Sequence, residues 1–383
     1  MLGVDKIAAL IESALAHGLG SAAALSIGDA GVEVERVVRG TTRRVPTAGA
    51  AVDDRTPFDL ASLTKPMATA ALAMVLVGDG ALDLDAPVRR WFPAAATAGT
   101  VRHLLGHAAG CAAHVEFFRT LRAGVHADPR RELVTLAAAH PAGPPGAATV
   151  YSDLGYLLLG AILERAADAP LADAVRSAVT EPLGLGGARY PGEAQLAGAV
   201  ATEVTERGVV EGVVHDENAQ AGGGVCGHAG LFATIDDVAR FAAALVDTAN
   251  DRPRGRWRTG VVQHFVTASA VDPGVTTTWR LGWDTPATQP GVSHAGDRWP
   301  RHGAIGHTGF TGTSLWLDLP RRRWVALLTN RVHPTRHGGS ADTIKALRRA
   351  VGDAACDLVA PEDYSDGGVE VHGDAGEQTT RHS

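Results

Sequence analysis

Segments with strand patterns lie near both ends of this chain, and segments with helical patterns lie between them. Residues 23–27 and 32–38 predict a β-hairpin around a turn at residues 29–31. Residues 314–318 and 324–330 predict a second strand pair, followed by a closing helix. The simplest architecture that fits is α/β of the α+β type. One antiparallel sheet contains strands from both ends of the chain and is flanked by helices, and a mostly helical domain is inserted between the two groups of strands.

The same pattern predicts where the domains divide. A chain of 383 residues is long enough for two of them. We expect residues 1–65 together with 221–360 to form the sheet-containing α/β domain, and residues 66–220 to form the helical insertion. Residues 361–383 are rich in Gly, Asp, Glu and Thr and poor in apolar side chains, which predicts a disordered tail.

Composition argues against several function classes. A net charge of −7 and a pI near 6.1 give no basic surface for nucleic acid. The most apolar run, residues 70–77, is too short to span a bilayer, and residues 1–20 lack a signal-peptide pattern, so we expect a cytoplasmic protein without a membrane partner. Three widely separated cysteines predict neither a disulfide framework nor a metal site. The oligomeric state stays open.

Ser62-Leu63-Thr64-Lys65 is the first motif that carries chemistry. Residues three apart on a helix share a face, so the serine hydroxyl and the lysine amine can meet. The chain has only three lysines among 35 Lys and Arg residues, and a lysine can lose its proton where an arginine cannot. The motif predicts an activated serine nucleophile. The structural alternative is a serine cap with a lysine on the first turn.

Two further motifs could complete such a site. Tyr151-Ser152-Asp153 lies at a loop-to-helix junction, where the tyrosine could exchange protons with Ser62 and a charged lysine would lower its pKa. Gly306-His307-Thr308-Gly309 lies on a probable strand, where glycines allow a substrate to approach the backbone. Taken alone, each motif could equally be structural: a helix cap, or a buried histidine.

The three motifs, in this order and at these separations, resemble the serine β-lactamase and penicillin-binding-protein superfamily. The similarity is closer to its class C-like branch of carboxypeptidases, D-aminopeptidases and esterases, with a penicillin-binding-protein-4B-like subgroup as the nearest. It covers roughly residues 5 to 358. The sequence segments that are similar to the branch and the subgroup are residues 59–65, 101–107, 151–156, 215–219, 227–232 and 330–334.

This resemblance implies a β-lactamase/transpeptidase-like fold and a role for each motif residue. Ser62 would form an acyl-enzyme, Lys65 would hold or accept the serine proton, and Tyr151 would be the general base. The N–H groups of Ser62 and Phe310 would form the oxyanion hole. The remaining substrate-side residues would be Asp153, His307, Thr308 and Gly309. The resemblance implies no cofactor and no metal.

Two positions depart from the family pattern. Asp153 stands where class C-like β-lactamases carry asparagine. Unlike an asparagine amide, an ionised carboxylate cannot donate a hydrogen bond. It could instead keep Lys65 charged, in which case Tyr151 would be the general base. His307 stands where many relatives carry lysine, so any positive charge there would be only partial near pH 7. Both departures weaken the case for an efficient β-lactamase.

The resulting prediction is a serine hydrolase that acts through Ser62 on a small ester, amide or D-amino-acid peptide. The alternatives are a cell-wall D-Ala-D-Ala carboxypeptidase or weak β-lactamase and, from another class, a non-catalytic binding protein on the same fold. His215-Asp216-Glu217 lacks zinc-helix spacing, so we expect these residues to brace the rim of the site by hydrogen bonds rather than bind a metal.

Overall fold

One five-stranded antiparallel sheet joins the two ends of the chain. The computed structural model describes residues 2–206, 208–337 and 340–358. The strand order is β2-β1-β9-β8-β7, so the first hairpin pairs directly with the last strand. The strands are β1 Ala22–Asp29, β2 Val32–Gly40, β3 Phe58–Asp59, β4 Ala201–Thr205, β5 Gly208–Glu211, β6 Phe232–Ala233, β7 Ala304–Thr308, β8 Ser314–Asp318 and β9 Arg323–Thr329.

Strand register confirms the predicted sheet. In the first hairpin Ala24 lies opposite Val38, and the turn places Ala30 and Gly31 at φ of 50° and 83°, the left-handed values that a tight hairpin turn requires. Leu25 of β1 lies opposite Leu327 of β9, which closes the sheet across more than 300 residues of chain. The fold class expected from the sequence is therefore confirmed, with strand ends shifted by one to two residues.

Both faces of the central strands are covered by helices. Residues that alternate along β1 go to two different cores: Leu25 and Ile27 pack with α1 and α11, while Ala22 and Ala24 pack with the opposite core, which includes α9. This double burial explains why the strands read as nearly continuous apolar runs. The helices are α1 Leu2–Ala16, α2 Ala71–Gly78, α3 Val101–Leu105, α4 Phe117–Ala123, α5 Pro129–Ala139, α6 Asp153–Ala167, α7 Leu171–Val175, α8 Glu217–Ala221, α9 Ile235–Ala249, α10 Thr259–Thr267 and α11 Ser340–Ala355.

Side-chain caps fix where the long helices begin. Thr234 and Asp237 cap α9 reciprocally: the Asp237 N–H donates to Thr234 Oγ1 at 3.2 Å, and the Thr234 N–H donates to Asp237 Oδ2 at 2.9 Å. The two residues form a capping box with aspartate as its second member. Ser152 caps α6 through the Gly155 N–H at 3.0 Å, so Tyr151 lies just before the helix and Asp153 begins it.

The helical segment after Ser62 is less regular than expected. Residues Ala61–Leu63 form a 3₁₀ turn, Lys65–Ala70 form a π-helix, and only then does α2 begin. Short π segments are frequent at functional sites because they rotate a side chain out of the α-helical register. The whole run from Ala61 to Gly78 is long and apolar enough to cross a membrane by composition, although 83% of it is buried inside the protein. This apolar segment, Ala61–Gly78, is longer than the apolar run at residues 70–77 that was identified from the sequence.

Two expectations have no structural outcome. The predicted tail, residues 361–383, lies outside the described residues. The division into residues 1–65 with 221–360 and an inserted domain at 66–220 stays a prediction, although strands from both outer parts do meet in one sheet.

Candidate active site

Ser62 lies in a strained turn that the loop after β7 holds in place. The preceding residue, Ala61, has a left-handed φ of 46°, an unusual conformation for a side chain with a Cβ that concentrates at functional sites. Thr311 Oγ1 donates to Asp59 O at 2.8 Å, and Thr313 Oγ1 donates to Leu60 O at 2.9 Å. The loop after β7 thus fixes the backbone that presents the serine.

Lys65 is completely buried and uses all three of its N–H donors. Its Nζ donates to Ser62 Oγ at 3.0 Å, to Asp153 Oδ1 at 2.7 Å and to His228 O at 3.3 Å. Burial by itself would lower the pKa of Lys65, but the Asp153 carboxylate outweighs it and raises this pKa above its usual value. A neutral lysine base is therefore not what this geometry provides: Lys65 is an ammonium ion that orients the serine oxygen.

Asp153 is the anion that balances this charge. It begins α6, where its Oδ1 accepts from Lys65 and its Oδ2 lies 3.2 Å from His114 Nδ1. Burial opposes ionisation, yet the positive charge of Lys65 holds the pKa of Asp153 well below its usual range. The hydrogen bond to Asp153 in turn raises the pKa of His114. Asp153 therefore acts as an acceptor from Lys65, in agreement with the expectation drawn from the missing asparagine.

Tyr151 is positioned by a buried histidine. Val150 N donates to His107 O at 2.9 Å, Ser152 N donates to His107 Nδ1 at 3.0 Å, and the Tyr151 and His107 rings are 4.6 Å apart. Lys65 Nζ lies 4.7 Å from the Tyr151 ring centroid. Burial raises the pKa of Tyr151 more than the positive charge of Lys65 lowers it. The expected lowering by Lys65 is therefore present, but desolvation exceeds it and the pKa of Tyr151 is raised overall.

The loop after β7 places the third motif against the nucleophile. Gly309 approaches so closely that a Cβ would lie 2.6 Å from Leu60 O, which explains the glycine. Phe310 follows with a half-exposed ring, and its N–H donates to no backbone carbonyl among the described residues. Arg331 Nε donates to Phe310 O at 2.7 Å, and Arg348 Nη2 donates to Gly309 O at 2.9 Å. Two arginines remote in sequence thus hold this loop.

His307 is neutral, which corrects the expectation of a partial positive charge. Burial, reinforced by the positive charge of Lys65, lowers the pKa of His307 to about 3. Its Nδ1 lies 2.9 Å from Thr308 O, which can only accept, so Nδ1 carries the proton and Nε2 has a free lone pair. Nε2 is buried with no hydrogen-bond partner among the described residues. A cationic contact from His307 to a substrate carboxylate is therefore not supported.

The motif residues line one cavity of about 570 Å³. Ser62, Tyr151, Asp153, His307, Thr308, Gly309 and Phe310 all contribute to its wall. The cations of the wall are Arg331, Arg336, Lys345 and Arg348. Arg336 and Lys345 pair with carboxylates, whereas Arg331 and Arg348 form no salt bridge with a described carboxylate. Sequence reasoning missed both of them, along with Trp279 and Asp284. Arg331 did lie in the family-like segment at residues 330–334, whereas no sequence motif includes Arg348, Trp279 or Asp284.

His215, Asp216 and Glu217 hold the rim together by hydrogen bonds, as expected. The His215 N–H donates to the buried Asp59 Oδ2 at 2.7 Å, Asp216 Oδ1 lies 2.9 Å from His228 Nε2, and Glu217 Oε1 accepts from Arg336 at 2.6 Å. Among residues 2–206, 208–337 and 340–358, no three His, Cys, Asp or Glu side chains are grouped so that they could hold a metal ion.

Known proteins resemble this chain over most of its length. The family model for beta-lactamase matches residues 7–350. An N-acetylmuramyl-L-alanine amidase of Bacillus subtilis is 28% identical, over 86% of this chain and 81% of its own. Esterase EstB of Burkholderia gladioli is 30% identical, over 79% of this chain and 84% of its own. The crystal structure of SurE with D-Leu is 26% identical with a TM-score of 0.67, covering 93% of this chain and 76% of that one.

These matches agree with the geometry around Ser62. The family model spans nine-tenths of the chain and includes all three motifs, and the similar proteins carry hydrolase names. The expectation of a serine hydrolase on this fold is confirmed at that level. The chain belongs to the beta-lactamase family.

Proposed function

We propose that the protein is an acyl-transferring serine hydrolase that forms an acyl-enzyme on Ser62. The observation that carries the mechanism is the contact of 2.7 Å between Lys65 Nζ and the Asp153 carboxylate, which raises the pKa of Lys65 and keeps it an ammonium ion without a lone pair to accept a proton. Because Ser62 Oγ accepts from Lys65, the serine O–H is free to donate elsewhere. Tyr151, whose ring centroid lies 4.7 Å from Lys65 Nζ, is the proton acceptor that we propose.

The proposed acylation step exchanges one bond at the carbonyl carbon and moves two protons through Tyr151. Ser62 Oγ bonds to the substrate carbonyl carbon, and the bond from that carbon to the departing oxygen or nitrogen breaks. The serine proton passes to Tyr151 Oη as Tyr151 gives up its own proton. The raised pKa of Tyr151 keeps it a phenol at rest, so the phenol's own proton passes to the departing oxygen or nitrogen. The N–H groups of Ser62 and Phe310 would hold the carbonyl oxygen as it gains negative charge. Water then attacks the acyl-enzyme by the reverse route.

The proposed substrates are small esters, amides or D-amino-acid peptides, in keeping with a cavity of about 570 Å³. A D-Ala-D-Ala carboxypeptidase or weak β-lactamase is the second candidate. It is favoured by Arg331 and Arg348, because unpaired guanidinium groups in the wall suit a substrate carboxylate. The proposed compartment is the cytoplasm, as the sequence predicts.

The test compares the parent with Ser62→Ala and with Ser177→Ala, an exposed serine on another helix, as the matched control. The proteins are incubated with a fluorophosphonate and with p-nitrophenyl butyrate, and intact mass and turnover are measured. We expect an adduct and turnover for the parent and Ser177→Ala and neither for Ser62→Ala. Equal turnover by Ser62→Ala would contradict acyl transfer, and a parent that reacts with no ester, D-alanyl peptide or nitrocefin would favour a binding protein.

A further inference from the structure

A loop at residues 277–285 brings one carboxylate and one indole to the wall of the Ser62 cavity. Arg280 N donates to Trp283 O at 2.6 Å and Thr285 Oγ1 donates to Thr278 O at 2.8 Å, which closes the loop on itself. Asp284 exchanges two backbone hydrogen bonds of 2.8 Å with Gly306, the residue before His307. Trp279 and Asp284 both line the cavity, fixed beside β7.

Asp284 differs from the other carboxylates of this wall because it forms no salt bridge with a described residue, and the positive charge of Arg280 opposes only part of the effect of its burial. Asp153 pairs with Lys65, Asp216 with His228 and Glu217 with Arg336. Asp284 accepts from the Thr285 N–H at 2.9 Å and from Thr278, and it forms no ion pair with any described residue. Burial accordingly raises its pKa. A half-buried carboxylate of this kind is stabilised when a ligand supplies the missing cation.

The neighbours of Asp284 favour the same kind of ligand. The Trp279 ring lies 5.3 Å from Tyr151 and 5.5 Å from His307, so an aromatic face stands close to the reacting groups. His307 offers its unpartnered Nε2, which can accept a hydrogen bond. A carboxylate, an aromatic face and a free imidazole lone pair all attract a cation that carries N–H donors, and a primary ammonium group is the small ligand that meets all three.

We propose that Trp279, Asp284 and His307 bind the protonated α-amino group on the acyl side of the substrate. The enzyme would then act on esters, amides or peptides of amino acids with a free amino terminus, an inference that rests on the proposed acyl transfer at Ser62. The ammonium belongs to the acyl side because Arg331 and Arg348 repel a cation and suit the carboxylate that ends a peptide leaving group.

The test uses p-nitroanilides that differ only in the substituent on the α-carbon. They are alanine p-nitroanilide and N-acetylalanine p-nitroanilide, each as both enantiomers, and propionyl p-nitroanilide, which has no amino group. For the enantiomer hydrolysed faster, we expect the parent's kcat/KM to exceed that for the propionyl compound by about tenfold or more, the effect of one charge-assisted hydrogen bond. Acetylation, which removes the charge, should abolish this preference. A parent that prefers the propionyl or acetylated compound would overturn the assignment without any variant.

The variant arm follows the ratio of kcat/KM for alanine over propionyl p-nitroanilide. Asp284→Asn should lower this ratio about tenfold, mainly through KM, whereas Glu217→Gln, a cavity carboxylate already paired with Arg336, should keep the parent's ratio. An unchanged ratio in a folded Asp284→Asn would refute the ammonium site and leave the hydrolase intact. If no compound releases p-nitroaniline and no probe modifies Ser62, both acyl transfer and this inference fail.

Discussion

At the residue scale, the chemistry depends on which atom near Ser62 can accept a proton. Lys65 resembles a base in the sequence, yet Asp153 at 2.7 Å makes its ammonium form the stable one. Its role is then electrostatic: a fixed positive charge beside Ser62 Oγ and the Tyr151 ring. That charge stabilises negative charge that develops on Ser62 Oγ or Tyr151 Oη. An arginine, with its longer side chain and planar guanidinium group, could not place its charge at the same position.

Replacing Tyr151 tests this division of labour. Tyr151→Phe keeps the ring and removes only the hydroxyl, so we expect kcat to fall by about 10²–10⁴-fold, the range for a lost general acid–base group, with little change in KM. Steady-state kinetics on a p-nitrophenyl ester measure it. The matched control is Tyr156→Phe, another buried tyrosine, whose hydroxyl donates to Leu105 O at 3.0 Å. Comparable kcat values for the two variants would contradict the role of Tyr151.

At the element scale, the site depends on how closely α6 approaches the segment that carries His228. Gly160 of α6 faces Gly227: a Cβ on Gly160 would lie 2.9 Å from Gly227 N, and one on Gly227 would lie 2.2 Å from Tyr156 O. Gly227 O also accepts from Thr69 Oγ1 at 2.6 Å. This contact sets the distance between Asp153, at the start of α6, and His228 O, both of which bind Lys65.

Gly227→Ala should therefore destabilise the protein and its site together. Its Cβ meets backbone atoms that cannot rotate away, and overpacking of this kind costs about 1–3 kcal/mol. We expect the melting temperature to fall by several degrees and kcat/KM to fall as the ligands of Lys65 shift. Gly186→Ala is the control, because a Cβ there meets nothing within 4 Å. Equal melting temperatures for the two variants would show that the contact is not tight.

At the scale of the whole molecule, several histidines are buried in neutral form. His107, His307 and His333 are each at most 3% exposed. Burial holds the pKa of His107 well below its usual value, that of His307 at about 3 and that of His333 at about 4. The unfolded chain binds protons on these rings near pH 6.5, while the folded protein does not. Their contribution to stability is thus full above pH 6.5 and is lost as the pH falls toward 4.

Urea unfolding between pH 7.5 and 4.5 tests this behaviour. Each such histidine lowers the free energy of unfolding by up to about 1.4 kcal/mol per pH unit below pH 6.5. His333→Gln, away from the cavity, should reduce the slope, whereas His302→Gln, an exposed residue, should not. Carboxylates with lowered pKa, such as Glu203, lose their contribution only near pH 4 and below. A pH-independent free energy of unfolding down to pH 5 would contradict the prediction.

The sequence by itself determined the elements and the types of chemical group. Apolar periodicity predicted the strands at both ends, because strand and helix periods are properties of local chain geometry. The order of Ser62, Tyr151 and His307 within their motifs predicted which side chains meet in one cavity. Residues of all three motifs line the same space, which favours a shared site over three separate structural roles.

The tertiary structure alone decided the protonation states and the wall of the cavity. Lys65 is charged, His307 is neutral and the pKa of Tyr151 is raised. Burial and charges from distant parts of the chain set each of these pKa values, and the local sequence pattern predicts neither. The same holds for Asp284 and Arg348, which reach the cavity from a loop and a helix remote from the motifs. Local periodicity encodes the elements, whereas the electrostatics of the site exists only once they pack.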